Sequence, residues 1–164
     1  MSVLDERVTR LNDREVRKGR YVLYWMQQSQ RAEYNHALEY AIRQANERDQ
    51  PVVVLFGITS KFPEANARHY AFMLQGLQNV HDGLKKRGIS FVVRLQSPEL
   101  AAVTMAKSAS LLVTDCGYLD IQKAWRTHVA NKVPCLVVQV ESDVVVPVAV
   151  ASEKEAYSAG ILRP

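Results

Sequence analysis

The chain has 164 residues, of which 48% are hydrophobic and 23% are charged, a composition that is typical of one globular domain and excludes a disordered chain. The net charge of +4 allows an anionic partner without requiring one, because the basic residues are spread out and the densest group is Arg17, Lys18 and Arg20. No apolar stretch approaches the roughly 20 residues of a membrane-spanning helix, and the charged N-terminus is unlike a secretory signal peptide. Two cysteines without CxxC spacing, Cys116 and Cys135, favour reduced thiols and a cytoplasmic location.

Five short apolar runs predict five β-strands. In chain order they cover residues 21–26, 51–56, 89–94, 111–114 and 134–140. The second and fifth runs are continuously apolar, which indicates strands that are buried on both faces, as the strands of a parallel sheet are.

Amphipathic segments separate these runs and predict helices. They begin at Tyr34, at Tyr70 (ending before Gly88), at Ser97-Pro98 (an N-cap followed by proline, continuing through Lys107) and at Tyr118 (continuing to Ala130). Strict β-α alternation with right-handed crossovers predicts an α/β fold with a doubly wound, five-stranded parallel sheet. We expect the strand order 3-2-1-4-5, with strands one and four side by side at the centre.

The last part of the chain has neither a strong strand pattern nor a clean helix cap. We therefore divide the chain into an α/β domain, residues 1–142, and the start of a linker, residues 143–164.

A ligand site is expected beyond the carboxyl ends of the two central strands, where the winding of an open α/β sheet reverses. The loops at that point are residues 27–31 and 115–118, with Trp25 among the apolar residues beneath them. The candidate cofactor-binding residues are Met26, Gln27, Arg31, Phe56, Asp115 and Cys116. Apolar walls with a few convergent polar groups would hold a flat heterocycle with polar edges.

The same residues also allow a purely structural interpretation. Met26 and Phe56 are strand-end residues of types that usually pack in the core. Arg31 and Asp115 can pair with each other or cap helices, and Cys116 can be a small buried hydrophobe. Both interpretations stay open at this point.

Several catalytic and phosphate-binding motifs are missing. The sequence contains no GxGxxG after the first strand, no GxxxxGK[ST] and no GxSxG, and its four histidines lack metal-ligand spacing. We therefore predict no catalytic residue and no metal site. His69 stands out, because residues 66–70 open a helix whose polar side chains can face the crevice.

Long ordered stretches of the chain, from about Arg7 onward, match a known family. They are residues 19–27, 29–31 and 35–41, then 62–66 and 68–77, then 114–119 with Trp125 and Arg126, and finally 141–148. In these stretches the sequence resembles the N-terminal domain of class II cyclobutane pyrimidine dimer DNA photolyases.

The resemblance implies a Rossmann-like antenna domain that holds a light-harvesting chromophore, with a deazaflavin favoured over a folate or a flavin. In that family, FAD and the damaged DNA bind to a C-terminal helical domain, and the whole protein is a lyase that repairs DNA in light. Residues 158–164 stand where the family would cross into that domain. We therefore expect no repair by this chain alone, and we expect the helical domain to be its partner.

Two alternatives belong to other functional classes. The first is a small-nucleotide-binding module of the same α/β class, although only Gly117 lies where such modules carry a glycine-rich loop. The second is a docking module, which would expose an apolar patch toward its partner.

Overall fold

The computed structural model describes residues 3–151 and Gly160, and within them the chain forms one six-stranded sheet covered by helices. The strands are β1 (Val8–Arg10), β2 (Tyr21–Trp25), β3 (Val52–Ile58), β4 (Ser90–Leu95), β5 (Ala109–Asp115) and β6 (Leu136–Val140). The α-helices are α1 (His36–Asn46), α2 (Ala67–Lys86), α3 (Pro98–Ala106), α4 (Asp120–Lys132) and α5 (Val148–Ala151). None of the described helices is long and apolar enough to cross a membrane.

The five predicted strands are confirmed and lie in the predicted order. The sheet order is β1-β6-β5-β2-β3-β4, so the parallel strands β4-β3-β2-β5-β6 reproduce 3-2-1-4-5 with β2 and β5 at the centre. The sequence analysis missed β1, which pairs antiparallel with β6 through Val8 and Val140. An edge strand of three residues, two of them polar, is too short to show a hydrophobic period.

The predicted helices are present with small shifts of their ends. Helix α2 ends at Lys86, and Gly88 follows with φ of +69°, a left-handed conformation that glycine adopts without strain. Pro98 occupies the first turn of α3 as expected, but Ser97 makes no capping hydrogen bond. Its hydroxyl instead donates to Oε1 of Glu99, at 2.5 Å.

Helices cover both faces of the sheet and divide the core into two layers. Helices α1 and α2 pack on one face, and α3 and α4 pack on the other. Because side chains alternate along a strand, Tyr24 and Met26 face α1 and α2, whereas Leu23 and Trp25 face α3 and α4. Trp25 therefore lies on the opposite face from Met26, which corrects the expectation that both lie beneath one crevice.

The segment after β6 is tied back to the start of the chain. The buried Arg7 guanidinium donates to the carbonyl oxygens of Glu141, Val144 and Val145 at 3.1, 2.9 and 2.7 Å. The division between residues 142 and 143 stays a prediction, and most of residues 152–164 lie outside the described part of the chain.

Candidate functional site

A cavity of about 360 Å³ opens at the carboxyl edge of the sheet, between the ends of β2 and β3 and the first turns of α2 and α4. Its main apolar lining residues are Met26, Phe56, Phe62, Tyr70, Phe72 and Trp125. Its polar lining residues are Gln27, Gln28, Gln30, Thr59, His69 and Gln122. No Asp, Glu, Lys or Arg of the described chain lines it. This is an aromatic, uncharged site whose size suits a small ligand.

Two contacts set the aromatic wall of the cavity. The rings of Phe62 and Trp125 meet edge to face, with centroids 6.2 Å apart, an arrangement that aromatic pairs prefer. The Tyr70 hydroxyl donates to the carbonyl oxygen of Thr59 at 2.6 Å. These contacts hold the loop after β3 between α2 and α4.

His69 lines the cavity from the first turn of α2, as expected from the sequence. Its Nδ1 accepts a hydrogen bond from the backbone N–H of Asn66 at 3.1 Å, and the Asn66 side chain accepts from the N–H groups of Arg68 and His69. With Nδ1 acting as an acceptor, the proton of the neutral imidazole lies on Nε2. His69 can thus offer a donor without carrying charge.

The polar side of the cavity consists of glutamine carboxamides. Gln122 donates through Nε2 to Oε1 of Gln28 at 3.0 Å and accepts from the backbone N–H of Leu119 at 3.3 Å. Gln27 is only 8% exposed, and neither its Nε2 nor its Oε1 has a hydrogen-bond partner among the described residues. A buried carboxamide without partners costs about 1–3 kcal/mol, so Gln27 favours a ligand that supplies them.

Asp115 lies at the end of β5 and is completely buried, and its carboxylate holds the loop that follows β2. It accepts hydrogen bonds from the backbone N–H groups of Gln27, Gln28 and Ser29 at 3.0, 3.0 and 2.6 Å. This loop is thereby folded onto the end of β5. It fills the predicted crevice between β2 and β5, and the cavity lies one strand away, toward β3.

A buried network completes the environment of Asp115. The Tyr24 hydroxyl donates to Asp115 Oδ2 at 3.2 Å and accepts from Asn35 Nδ2 at 3.0 Å. Asn35 also caps α1, because its Oδ1 accepts from the N–H of Leu38. Burial raises the pKa of Asp115, and its hydrogen bonds partly counter that shift; burial likewise raises the pKa of Tyr24.

Arg31 points away from Asp115. It forms an ion pair with Asp143 at 2.7 Å and donates to the carbonyl oxygen of Ser142 at 3.0 Å. Cys116 is half-buried, and burial raises the pKa of its thiol, which disfavours the reactive thiolate. Neither residue lines the cavity.

The structure therefore brings three of the six candidate residues together. Met26, Gln27 and Phe56 line the cavity, whereas Arg31, Asp115 and Cys116 lie outside its lining. The expectation that Arg31 and Asp115 face one crevice is wrong, because Asp115 is enclosed by backbone donors.

Sequence reasoning missed several lining residues, above all Phe62, Tyr70, Gln122 and Trp125. Tyr70 and Trp125 showed only helical periodicity, which does not tell which end of a helix faces a cavity, and Phe62 lies in the loop after β3. In the described residues there is also no group of three or more His, Cys, Asp or Glu side chains that could hold a metal ion.

Fold and cavity together define a Rossmann-like α/β domain with a ligand-sized, uncharged cavity beside its switch point. The family model for DNA photolyase matches residues 22–164, and the chain belongs to that family. A deoxyribodipyrimidine photo-lyase from Methanothermobacter thermautotrophicus is 49% identical over 160 residues, which are 97% of this chain and 36% of that protein. The photo-lyase from Potorous tridactylus is 36% identical over 145 residues, 86% of this chain and 27% of its own length.

Solved structures share the fold at much lower identity. The universal stress protein UspA from Lactobacillus plantarum is 12% identical and has a TM-score of 0.55, with 76% of this chain and all of that protein covered. This likeness concerns the fold alone. The chain spans about a third of the length of the photo-lyases that it matches.

Proposed function

We propose that this chain forms the light-harvesting domain of a class II deoxyribodipyrimidine photolyase and that its cavity holds the antenna chromophore. The observation that carries the proposal is the pairing of an aromatic wall with the unpartnered carboxamide of Gln27. Membership of the photolyase family supports it independently. When bound, such a chromophore absorbs light and passes the excitation to a second cofactor.

The cavity residues fit a flat ring system with a polar edge. Phe56, Phe62 and Trp125 offer apolar and aromatic surface, and Gln27 offers one donor and one acceptor side by side. This pattern complements the N–H and C=O groups of a pyrimidinedione ring. The chain's part in the process is to orient the ring and to exclude water from it.

Charge favours a deazaflavin over the other chromophores that the family resemblance implies. A flavin nucleotide carries phosphate and a folate carries glutamate, and such anionic groups bind best beside Arg or Lys. The lining contributed by the described residues has neither. A deazaflavin without phosphate requires no cation, and it is the chromophore that we propose.

We further propose that FAD, damaged DNA and the lyase reaction belong to a C-terminal helical domain of the full-length protein in the cytoplasm. The photo-lyase relatives are about three times as long as the stretch that they share with this chain. Val145, Val146, Val148 and Val150 are each at least half exposed at the end of the described segment, which suits contact with a further domain.

The nucleotide-binding alternative finds less support at the loop after β5. Gly117 packs closely against the Gln122 side chain. A Cβ at position 117 would lie 2.2 Å from Gln122 Oε1, so a larger residue would displace that side chain. This glycine serves local packing, and the adjacent cavity lacks the cations that a phosphate would favour.

The proposal is tested by titrating the purified chain with an 8-hydroxy-5-deazaflavin, with folate and FMN in parallel. We expect the deazaflavin to quench the fluorescence of Trp125, and the quenching to fall in Trp125→Phe because Trp25, the other of the two tryptophans, does not line the cavity. Gln27→Leu should weaken binding about tenfold, the equivalent of about 1.4 kcal/mol.

Arg31→Ala is the matched control, since Arg31 follows the same strand but lies outside the cavity lining. It should bind the deazaflavin like the unaltered chain. Binding of none of the three chromophores would refute the antenna role. If Gln27→Leu bound the deazaflavin as the unaltered chain does and Arg31→Ala lost binding, the site would instead lie in the predicted crevice between the ends of β2 and β5.

A further inference from the structure

The segment 11–20 runs along the amino edge of the sheet, opposite the edge that carries the cavity. The carbonyl oxygen of Glu15 accepts from the N–H of Leu136 at the start of β6, at 3.1 Å. The N–H groups of Arg17 and Arg20 donate to the carbonyl oxygens of Ser110 and Ser108, at 3.1 and 2.8 Å. The segment thus passes β6 and β5 before it enters β2.

Side-chain contacts hold this segment in place. Asn12 donates to the carbonyl oxygens of Ala130 and Cys135, both at 3.1 Å, and its Oδ1 accepts from the N–H of Val137 at 3.0 Å. Gly19 lies so close to Ser110 that a Cβ would meet its backbone nitrogen at 2.2 Å. The segment is therefore a fixed part of the surface.

Its cationic side chains are exposed. Arg14, Arg17, Lys18 and Arg20, named here the basic row, form no ion pair with any residue of the described chain. Residues 10–20 hold five cations and two carboxylates, a surplus of three against +4 for the whole chain. One of those carboxylates, Glu15, pairs with Arg10 at 3.2 Å. A net charge of +3 thus lies on a segment of eleven residues.

The dimensions of the basic row match a nucleic-acid backbone. Neighbouring strands lie about 4.8 Å apart, so a segment that crosses from β6 to β2 spans about 10 Å. One DNA strand carries a phosphate about every 3.4 Å along the helix axis, so this span faces about three phosphates. Three of the four members of the basic row are arginines, and one guanidinium can donate hydrogen bonds to two phosphate oxygens at once.

We propose that the basic row binds the phosphate backbone of undamaged duplex DNA without reading its sequence. This is a second, electrostatic contact surface, separate from any recognition of damage and on the other edge from the cavity. Such a surface raises the local concentration of DNA around the protein and allows it to move along the duplex.

The test is fluorescence anisotropy with an undamaged, labelled duplex of about 20 base pairs at several salt concentrations. Three phosphate contacts predict a slope of about −3 for log K against log salt, which is a loss of roughly 40-fold between 50 and 200 mM. The double variant Arg17→Ala with Arg20→Ala should lose about two phosphate contacts, so the slope should become shallower, from about −3 to about −1. Thermal unfolding of the double variant checks that the fold is retained.

Lys61→Ala combined with Arg68→Ala is the matched control, because it removes the same charge from exposed residues at the carboxyl edge. It should keep the slope of the unaltered chain. Equal losses in both double variants would show a general charge effect and overturn the proposal, as would absence of binding at low salt. Competition by polyglutamate as strong as by DNA would assign the row to acidic polypeptides instead.

Discussion

At the scale of single residues, Asp115 determines where the cavity lies. Its carboxylate draws the backbone of Gln27, Gln28 and Ser29 onto the end of β5, and this closes the switch point of the sheet. Gln27 thereby takes its place in the cavity lining next to β3. Asp115, which the sequence predicted to contact the ligand, instead shapes the site through its hydrogen bonds to the loop backbone.

Asp115→Asn should destabilise the fold by about 1–3 kcal/mol, measured by urea unfolding at neutral pH. The new NH₂ group would face backbone N–H donors that now have an acceptor. Asp143→Asn is the control, because it alters only the partly exposed pair with Arg31 and should change stability by less than about 1 kcal/mol. Equal effects of the two variants would contradict this role of Asp115.

The pH dependence follows from the raised pKa of Asp115. Because the pKa is higher in the folded chain than the value of about 3.9 in the unfolded chain, the folded state binds the proton more tightly. The stability that protonation of Asp115 contributes is fully present below about pH 3.9, and it is lost as the pH rises through the pKa that Asp115 has in the folded chain. The free-energy cost of Asp115→Asn should therefore be largest in acid; a cost that grows with pH would mean that the hydrogen bonds outweigh burial.

At the scale of elements, the loops at the two edges of the sheet are fixed by different means. The loop after β2 is held by hydrogen bonds from its backbone N–H groups to the Asp115 carboxylate. The segment before β2 packs directly against the backbone of β5 at Gly19. Only glycine fits there. Gly76, in the middle of α2, has open space around it and no such constraint.

Gly19→Ala and Gly76→Ala form a matched pair at this scale. Gly19→Ala should lower the free energy of unfolding by about 1–3 kcal/mol, because its methyl group would overlap the backbone of Ser110. Gly76→Ala should raise it by about 0.5–1 kcal/mol, because alanine loses less backbone entropy in a helix. Thermal or urea unfolding measures both, and a neutral Gly19→Ala would show that the segment can shift.

At the scale of the whole molecule, the two edges of the sheet carry opposite kinds of surface. The carboxyl edge holds the uncharged aromatic cavity, and the amino edge holds the basic row. The two proposed functions therefore have separate residues and can be tested separately. The chain also matches about a third of each photo-lyase relative.

The chain alone should not repair cyclobutane dimers. The assay supplies FAD, reducing conditions, blue light and ultraviolet-irradiated DNA, and follows loss of dimers against a full-length photo-lyase as positive control. This prediction rests on the proposed function, in which FAD and the lyase reaction belong to the C-terminal helical domain. Light-dependent loss of dimers above the dark rate would contradict the assignment.

The sequence by itself determined the α/β class and the likeness to photolyases, because hydrophobic runs and their alternation are local patterns. The order of the five parallel strands was predicted from β-α alternation together with the right-handedness of crossover connections. It also placed Met26, Gln27, Phe56 and His69 at the edge of the sheet where the cavity opens, since the carboxyl ends of parallel strands meet there. Tertiary structure alone decided that Asp115 bonds to the loop backbone and that Trp125 reaches the cavity. Both depend on contacts between residues more than 60 positions apart in the chain, for which hydrophobic period carries no information.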